Sequence, residues 1–502
     1  MTLLRNARIG GGEPVDVLIR EGRILAIAAD LPIAASLPIA IGASDGGLPS
    51  VVDLDGRHVL PGLWDDHVHL SQHALARRRV DVSAAGSSAE AAATMAAAAV
   101  ARPPESGLPL VGFGFRDGLW SDAPTAAMLD AVVGWLPVVL VSGDLHCCWL
   151  NTAALRRFGF RDHPTGILRE ADAFPVTVRL RDVPDAVLDG WVDEAARAAA
   201  RRGVVGIVDF EMADNLSIWA RRIAVGSGSL RVAAAVYPEW LDAAIRDGRA
   251  TGQVLDRTSG LLTVGPFKVI TDGSLNTRTA FCVDEYPGLE GQPDSRGLLT
   301  VASSELVPLL RLASAAGLLP AVHAIGDEAN RLALDAFATV GIGGRIEHAQ
   351  LLRDADVARF AALGVTASVQ PEHAMDDRDV ADHYWAGRTD RAFTLRSLLD
   401  AGATLTLGSD APVAPLDPWI TMAAAVWRSR DGLPPWHPEQ RISVAEAIVA
   451  SSHGRASLAV GDAADLCVVD LDPLTASAEQ VRSMPVSANM LGGRLTHNLI
   501  AE

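Results

Sequence analysis

Cysteine is scarce in this chain, with four residues among 502: Cys147, Cys148, Cys282 and Cys467. No Cys-x-x-Cys occurs, and the adjacent Cys147 and Cys148 are poorly placed to bridge each other. A disulfide framework is therefore not expected, and a reducing cytoplasm with buried, inert thiols is the plain reading. Positive charge is also short. Lys and Arg number 43 against 61 Asp and Glu, a net charge of −18, which argues against nucleic acid and anionic membranes as partners. Long uncharged apolar runs are missing. The densest stretch, AAATMAAAAVA at 91–101, is short and Ala-rich and reads as a packed helix rather than a membrane span. The N-terminus, MTLLRNARIGGGEPVDV, lacks a basic segment followed by an apolar one, so no signal peptide is expected. The one Gly-x-Ser-x-Gly, GASDG at 42–46, falls in a low-complexity stretch and not between an apolar strand and a helix, which disfavours serine hydrolase chemistry. A P-loop and Gly-x-Gly-x-x-Gly are absent; GFGFRDG has the wrong spacing.

What is present is a globular composition, 49% apolar and 21% charged, in a chain too long for one ordinary core. Residues 1–60 read as short strands with tight turns. VDVLIREGRILAIA forms a hairpin at Glu21-Gly22, and VVDLDGRHVLPG turns at Asp55-Gly56. The stretch 31–50, with LPIA twice, reads as a loop with some strand. Residues 455–502 resemble the N-terminal part, with ADLCVVDLDP and then VSANMLGGRLTHN turning at Gly492-Gly493. The two ends predict one small β-sandwich built from both termini.

Residues 61–454 alternate strand and helix. Strands are predicted in LPGLWDDHVH, VVGIVDFE, LRVAAAVYP, FKVITDG, LPAVHAIGD, GRIEHAQ, VTASVQPEH and TLTLGSD. Helical patterns such as DEANRLALDAFATV and DADVARFAALG separate them. Eight such units predict an α/β fold, a (β/α)8 TIM-type barrel. Residues from about 100 to 200 exceed one crossover and hold extra strand-like runs, LPLVGFGF and LPVVLVSGD. They read as an insertion after the first barrel strand, placed over the catalytic rim as a lid or binding loop.

Metal-ligand residue types recur at the ends of these strands: His67 and His69, Lys268, His323, His348 and Asp410. Each follows an apolar run and precedes a polar or Gly-containing turn, which is how a parallel barrel presents side chains at its C-terminal face. Residues i and i+2 of a strand share a face, so His67 and His69 can reach one metal while Val68 points away. With 13 His in the chain, one His-x-His is a weak signal. The ordered Lys, His, His and Asp that follow give it weight, and together they describe a binuclear metal hydrolase site.

The motifs PGLWDDHVHL, SGDLHCCWLN, FKVITDGSLNTRTA, VHAIGDEANRLAL, RIEHAQL, VQPEH and GSDAPV stand in one order, with GDAADLCVVDLDP after them. In this the chain resembles the amidohydrolase superfamily over nearly its whole length. More narrowly, it is similar to the YtcJ-like group, which includes N-substituted formamide deformylases. The resemblance implies a set of roles. His67 and His69, with Asp410, would hold one divalent ion, and His323 and His348 a second. Zn²⁺ is the expected ion, one or two per chain. Lys268 would carry a CO₂-derived carbamate bridging the two ions; the other reading is a lysine that anchors a carboxylate or the substrate. A water-derived hydroxide generated by the metals would attack the carbonyl, with Asp410 as acid and base. His146 would stabilise the oxyanion and contact substrate.

Trp149, Arg169 and His373 are further candidates for substrate contact. Core packing is the alternative for Trp149, a surface salt bridge for Arg169, and a supporting or loop role for His373. Asp66 and Glu347 neighbour ligands and are expected to orient them. Asp272 and Gly273 are expected to shape the turn after Lys268, and His453 is given a structural or exposed role. The expected reaction is hydrolysis of a small-molecule C–N bond. An ester or lactone hydrolase using the same site and a non-catalytic metal-binding relative stand as alternatives. A homo-oligomer is compatible with the sequence.

Overall fold

The computed structural model describes residues 1–32, 50–117, 120–142, 147–169 and 172–500. Most of the 31–50 stretch lies outside these. The chain divides into two compact units. The first joins Met1–Leu70 to Ala196–Glu502, and the second is Ser71–Ala195.

The first unit contains eight parallel strands: β1 (Leu63–Val68), β2 (Val204–Asp209), β3 (Arg231–Val236), β4 (Leu262–Ile270), β5 (Pro320–Ala324), β6 (Gly344–His348), β7 (Val365–Val369) and β8 (Leu405–Leu407). They pair in chain order from β1 to β8 and overlap the eight runs predicted, with β4 starting at Leu262, ahead of FKVITDG. All six residues of β2 are buried, as expected where a parallel sheet is covered on both faces. The ring nearly closes just beyond β8. Val68 and Ala411 form a parallel bridge, with Asp410 N donating to His67 O at 2.7 Å and His69 N to Ala411 O at 2.9 Å. The crossover helices Asp327–Val340 and Asp354–Leu363 occupy the two helical patterns noted above. The second ends at Gly364, whose φ of +63° suits a residue without Cβ.

Two four-stranded sheets complete this unit. One runs Arg23–Ala28, Val15–Arg20, Thr2–Ala7, Ser50–Asp53. The other runs Arg494–Asn498, Val486–Leu491, Leu466–Val469, His58–Pro61, so it takes strands from both ends of the chain. Leu4, Val17 and Ile24 of the first share one apolar cluster with Val59, Leu466 and Met490 of the second.

The second unit has its own five-stranded sheet, in the order Ile167–Arg169, Cys147–Leu150, Val138–Ser142, Leu110–Phe115, Val80–Asp81. The runs LPLVGFGF and LPVVLVSGD supply two of these strands. The unit starts at Ser71, not near 100, because Val80 and Asp81 pair with Gly112 and Phe113. Helix Ser88–Ala101 also packs Ala91, Ala92 and Met95 into the same core as Leu110 and Leu140. All four cysteines are buried and free. Among the described residues, no helix is long and apolar enough to cross a membrane.

Candidate metal centre

Five strand ends carry the site. His67 lies in β1 with His69 just beyond it, Lys268 lies in β4, His323 in β5, and His348 closes β6. Asp410 follows β8 by three residues. Parallel pairing in one register sets these positions at one end of the barrel. His67, His348 and Asp410 each offer a ligand atom, all within 4.8 Å of one another. Asp410 is the hub. Its Oδ1 lies 3.6 Å from His67 Nε2 and 3.3 Å from His69 Nε2, and its Oδ2 is 3.9 Å from His373 Nε2. The His348 ring centroid is 4.4 Å from that of His323 and 5.0 Å from that of His67.

The backbone is bent to achieve this. His348, Ala349 and Asp410 have φ of +74°, +43° and +56°, a left-handed region that non-glycine residues adopt at a cost, often at functional sites. Gly408 allows β8 to approach β1. A Cβ there would stand 2.7 Å from His67 N and 2.8 Å from His67 Cβ.

Burial dominates the electrostatics. It pushes His67 down to about 4, helped by the Lys268 charge, and His323 down to about 3 for the same two reasons. His348 falls well below the ordinary histidine range through burial and the neighbouring His323. These imidazoles are therefore neutral near pH 7, with lone pairs free to bind a metal. His69 is half-buried, which would lower it, but its hydrogen bond to Asp410 and the Asp410 charge raise it above the usual value. Burial would raise Asp410, yet the surrounding histidines, His67 first, hold it well below the carboxylate range. Burial lowers Lys268 to about 8. Its Nζ lies 4.3 Å from the centroid of the Phe210 ring, and His67 packs on the same ring at 4.5 Å.

A layer of charged groups holds the ligands in place. Glu347 accepts from His67 Nδ1 at 2.7 Å and from Arg345 Nε at 2.5 Å. Arg345 Nη2 also donates to the Asp66 carbonyl at 2.9 Å and to Ser368 Oγ at 2.7 Å. His453 Nε2 lies 3.2 Å from Asp66 Oδ1, and its ring stacks on Trp64 at 3.9 Å. Asp65 accepts from the backbone N–H groups of Ser409 and His67, at 2.8 and 3.2 Å, tying β8 to β1. Asp272 accepts from the backbone N–H groups of Phe281, Ile325 and Gly326, and its Oδ1 stands 3.4 Å from His323 Nε2.

The donor set fits a divalent ion. His69 Nδ1, Lys268 Nζ, His348 Nδ1 and His373 Nε2 are buried without a hydrogen-bond partner. Orphaned polar atoms of this kind are costly unless something else meets them. Neutral imidazole nitrogens and a carboxylate are the ligands of Zn²⁺ and other first-row divalent ions.

The structure thus brings His67, His69, Lys268, His323, His348, His373 and Asp410 to one end of the barrel. Two other sequence candidates sit in the second unit in structural roles. Trp149 is fully buried in that unit's core, its indole N–H donating to Thr125 O at 2.9 Å. It offers no face to a substrate, because an aromatic of that size is worth more as core. Arg169 has a side chain 65% exposed and pairs with Asp117 at 3.2 Å, the surface bridge weighed as its alternative. His146 lies outside the described residues. Two participants carry no role in the sequence analysis, Arg345 and Phe210, while His453 takes a structural one against Asp66. Arg345 stands two residues before Glu347, so a charge pair on one strand face was its available signal.

A model of the amidohydrolase family matches residues 50–497. Protein LONG AFTER FAR-RED 3 of Arabidopsis thaliana is 29% identical, covering 96% of this chain and 92% of that one. The N-substituted formamide deformylase of Arthrobacter pascens is 26% identical, covering 96% and 94%. The crystal structure of an uncharacterized metal-dependent hydrolase from Pyrococcus horikoshii OT3 superposes with a TM-score of 0.77 at 26% identity, covering 95% of this chain and 99% of that one.

Proposed function

The chain belongs to the amidohydrolase family, and from that premise we propose that it hydrolyses a C–N bond of a small molecule, an N-formyl or N-acyl amide, with a divalent metal. The observation that carries this reading is the convergence of His67, His348 and Asp410 within 4.8 Å, beside buried nitrogens that no protein group satisfies. The A. pascens relative, named as an N-substituted formamide deformylase, supports the amide class.

His67, His69 and Asp410 would hold one ion and His323 and His348 a second, with Zn²⁺ first among the candidates. Such an ion supplies Lewis acidity and lowers the pKa of water in contact with it. Lys268 is suited to CO₂ addition. Its ammonium would first lose one proton; the neutral amine nitrogen would then bond to the carbon of CO₂ and lose a second, turning a cation into an anionic oxygen donor. A buried Nζ without a hydrogen-bond partner supports that role.

Asp410 is the proposed acid and base. An ionised carboxylate at the hub of the histidines can take a proton from the attacking water and return it to the leaving amine. The water oxygen bonds to the acyl carbon, the C–N bond breaks, and a carboxylate and an amine leave. His373, whose Nε2 is 3.9 Å from Asp410 and otherwise unpartnered, is a proposed substrate contact. His146 keeps its assignment as oxyanion donor on its sequence motif alone. We read the two terminal sheets as one small sandwich, and the cell interior as the setting.

A panel of an N-formyl amine, an N-acyl amine and a matched ester tests the reading. Amide turnover by the wild type that falls at least about a thousandfold in folded, metal-loaded Asp410→Asn is expected, the scale of losing a general acid–base. Turnover of the ester alone would replace the amide assignment with ester or lactone hydrolysis. Near wild-type activity of the variant would remove Asp410 from the proton path.

A further inference from the structure

Six arginines line one cavity: Arg78, Arg79, Arg102, Arg157, Arg179 and Arg181. Every residue lining it falls within Ser71–Ala195, so the cavity belongs to the second unit alone. With its mouth and the open solvent there, it takes in about 830 Å³. Its acidic lining is limited to Glu105 and Asp182. The wall is thus strongly cationic in a chain whose net charge is −18.

Arginines on a surface are usually solvated or paired. Three of the six are held by carbonyls that orient a guanidinium without cancelling its charge. Arg102 donates to the Arg77 carbonyl at 3.0 Å and Arg157 to the Gly107 carbonyl at 2.6 Å. Arg179 donates to the carbonyls of Phe158 and Arg157, both at 3.2 Å. Arg78 has a carboxylate, Glu194 at 2.7 Å. Among the described residues, neither Arg79 nor Arg181 has a carboxylate at ion-pair distance. Arg79 is half-buried, with its guanidinium 5.5 Å from the Phe113 ring. Burial and the nearby Arg181 charge both disfavour its cation. Two like charges facing one cavity, with no carboxylate at ion-pair distance, are relieved by an anion.

The rest of the lining is apolar and includes Leu75, Leu110, Phe158 and Trp191. Arg78 lies 4.9 Å from the Trp191 ring and Arg179 4.9 Å from the Phe158 ring. A bare inorganic anion would leave that wall unused.

We propose that this cavity binds a small organic anion, a carboxylate or phosphate monoester on an aromatic or acyl body. Arg79 and Arg181 take the charge, and the Leu110, Phe158 and Trp191 side takes the body. The site is separate from the metal chemistry proposed above and stands whether or not that chemistry is right.

Calorimetric titration of the full-length, metal-loaded protein tests it, with benzoate, phenyl phosphate, inorganic phosphate and benzyl alcohol as probes. Benzoate and phenyl phosphate are expected to bind at least about tenfold more tightly than the other two, since each control lacks one half of the recognition. Stronger binding of phenyl phosphate or of benzoate tells which headgroup the arginines prefer. The Arg79→Gln and Arg181→Gln variants should each weaken binding by about tenfold, the loss of one charge-assisted hydrogen bond. Arg181 is exposed, so its variant should fold even where Arg79→Gln does not. Binding should persist in protein stripped of metal by a chelator, which separates this cavity from anion binding at the metals. Equal affinity in wild type and Arg181→Gln would overturn the proposal, as would inorganic phosphate binding as tightly as phenyl phosphate. Binding of an acidic peptide with no response to the small anions would also overturn it, in favour of a protein partner.

Discussion

Glu347 Oε2 sits 2.7 Å from His67 Nδ1, and both side chains are buried. The contact fixes the imidazole so that Nε2, the other nitrogen, points at Asp410 Oδ1, 3.6 Å away. A carboxylate behind a metal-binding histidine sets its tautomer and raises its basicity. Arg345 in turn holds Glu347, whose carboxyl stays far below the usual range: burial would raise it, but Arg345 and His67 outweigh burial.

Glu347→Gln should therefore keep the shape and lose the charge. Metal affinity, measured by competition with a chelator, is expected to fall about 10–100-fold. An unchanged affinity in the folded variant would show that His67 needs no carboxylate to orient it.

Gly408→Ala should act on the same histidine from the other side. The added Cβ would meet His67 backbone and Cβ at under 3 Å, a contact that must be relieved by moving β1 or β8. Metal content should drop and thermal stability should fall by about 1–3 kcal/mol. Full metal content with wild-type stability would mean that the two strands part freely.

Lys268→Ala should lower both metal content and turnover. Short carboxylic acids with bicarbonate are expected to restore part of the loss by supplying the missing oxygens. Lys268→Arg should not recover, because a guanidinium stays cationic beside divalent ions. A metal-loaded crystal structure with an unmodified Lys268 turned away from the ions would reject the carbamate.

The barrel was legible because its strands are short apolar runs between helical patterns, and the convergence of His67, His348 and Asp410 because parallel strands end at one face. Val68 and Ala411 nearly close the ring where the motifs of the first and last strands already stood. The start of the second unit at Ser71 was not legible. Val80–Asp81 is a two-residue strand whose identity depends on Leu110–Phe115, far along the chain. Trp149 looks like a substrate contact in sequence, since a core aromatic and a binding aromatic share one local signal. His453 lies in SSHGRA, with no periodic context, and only the fold puts it against Asp66 and Trp64.

A pH test away from the metals follows from Glu446. Its carboxylate caps helix Val444–Ala450 through Ser443 and accepts two hydrogen bonds from Arg396, at 2.8 and 3.2 Å. The Arg396 hydrogen bond, with Ser443, lowers it to about 2, against about 4.3 in an unfolded chain. A depressed carboxylate stabilises the fold fully above the unfolded value and loses that contribution as pH falls towards the folded one. Glu446→Ala should lower Tm by about 2 °C at pH 7, with the gap to wild type narrowing below about pH 4. A gap that widens on acidification would contradict the assignment.

The central claim is that the side chains gathered around Asp410 hold the metal that hydrolysis needs. Its most direct test is amide turnover by the purified protein, measured with metal content before chelation, after it, and after Zn²⁺ is restored. The account predicts one or two ions per chain, loss of turnover with the metal, and recovery with its return. Undiminished turnover in metal-free protein would contradict it.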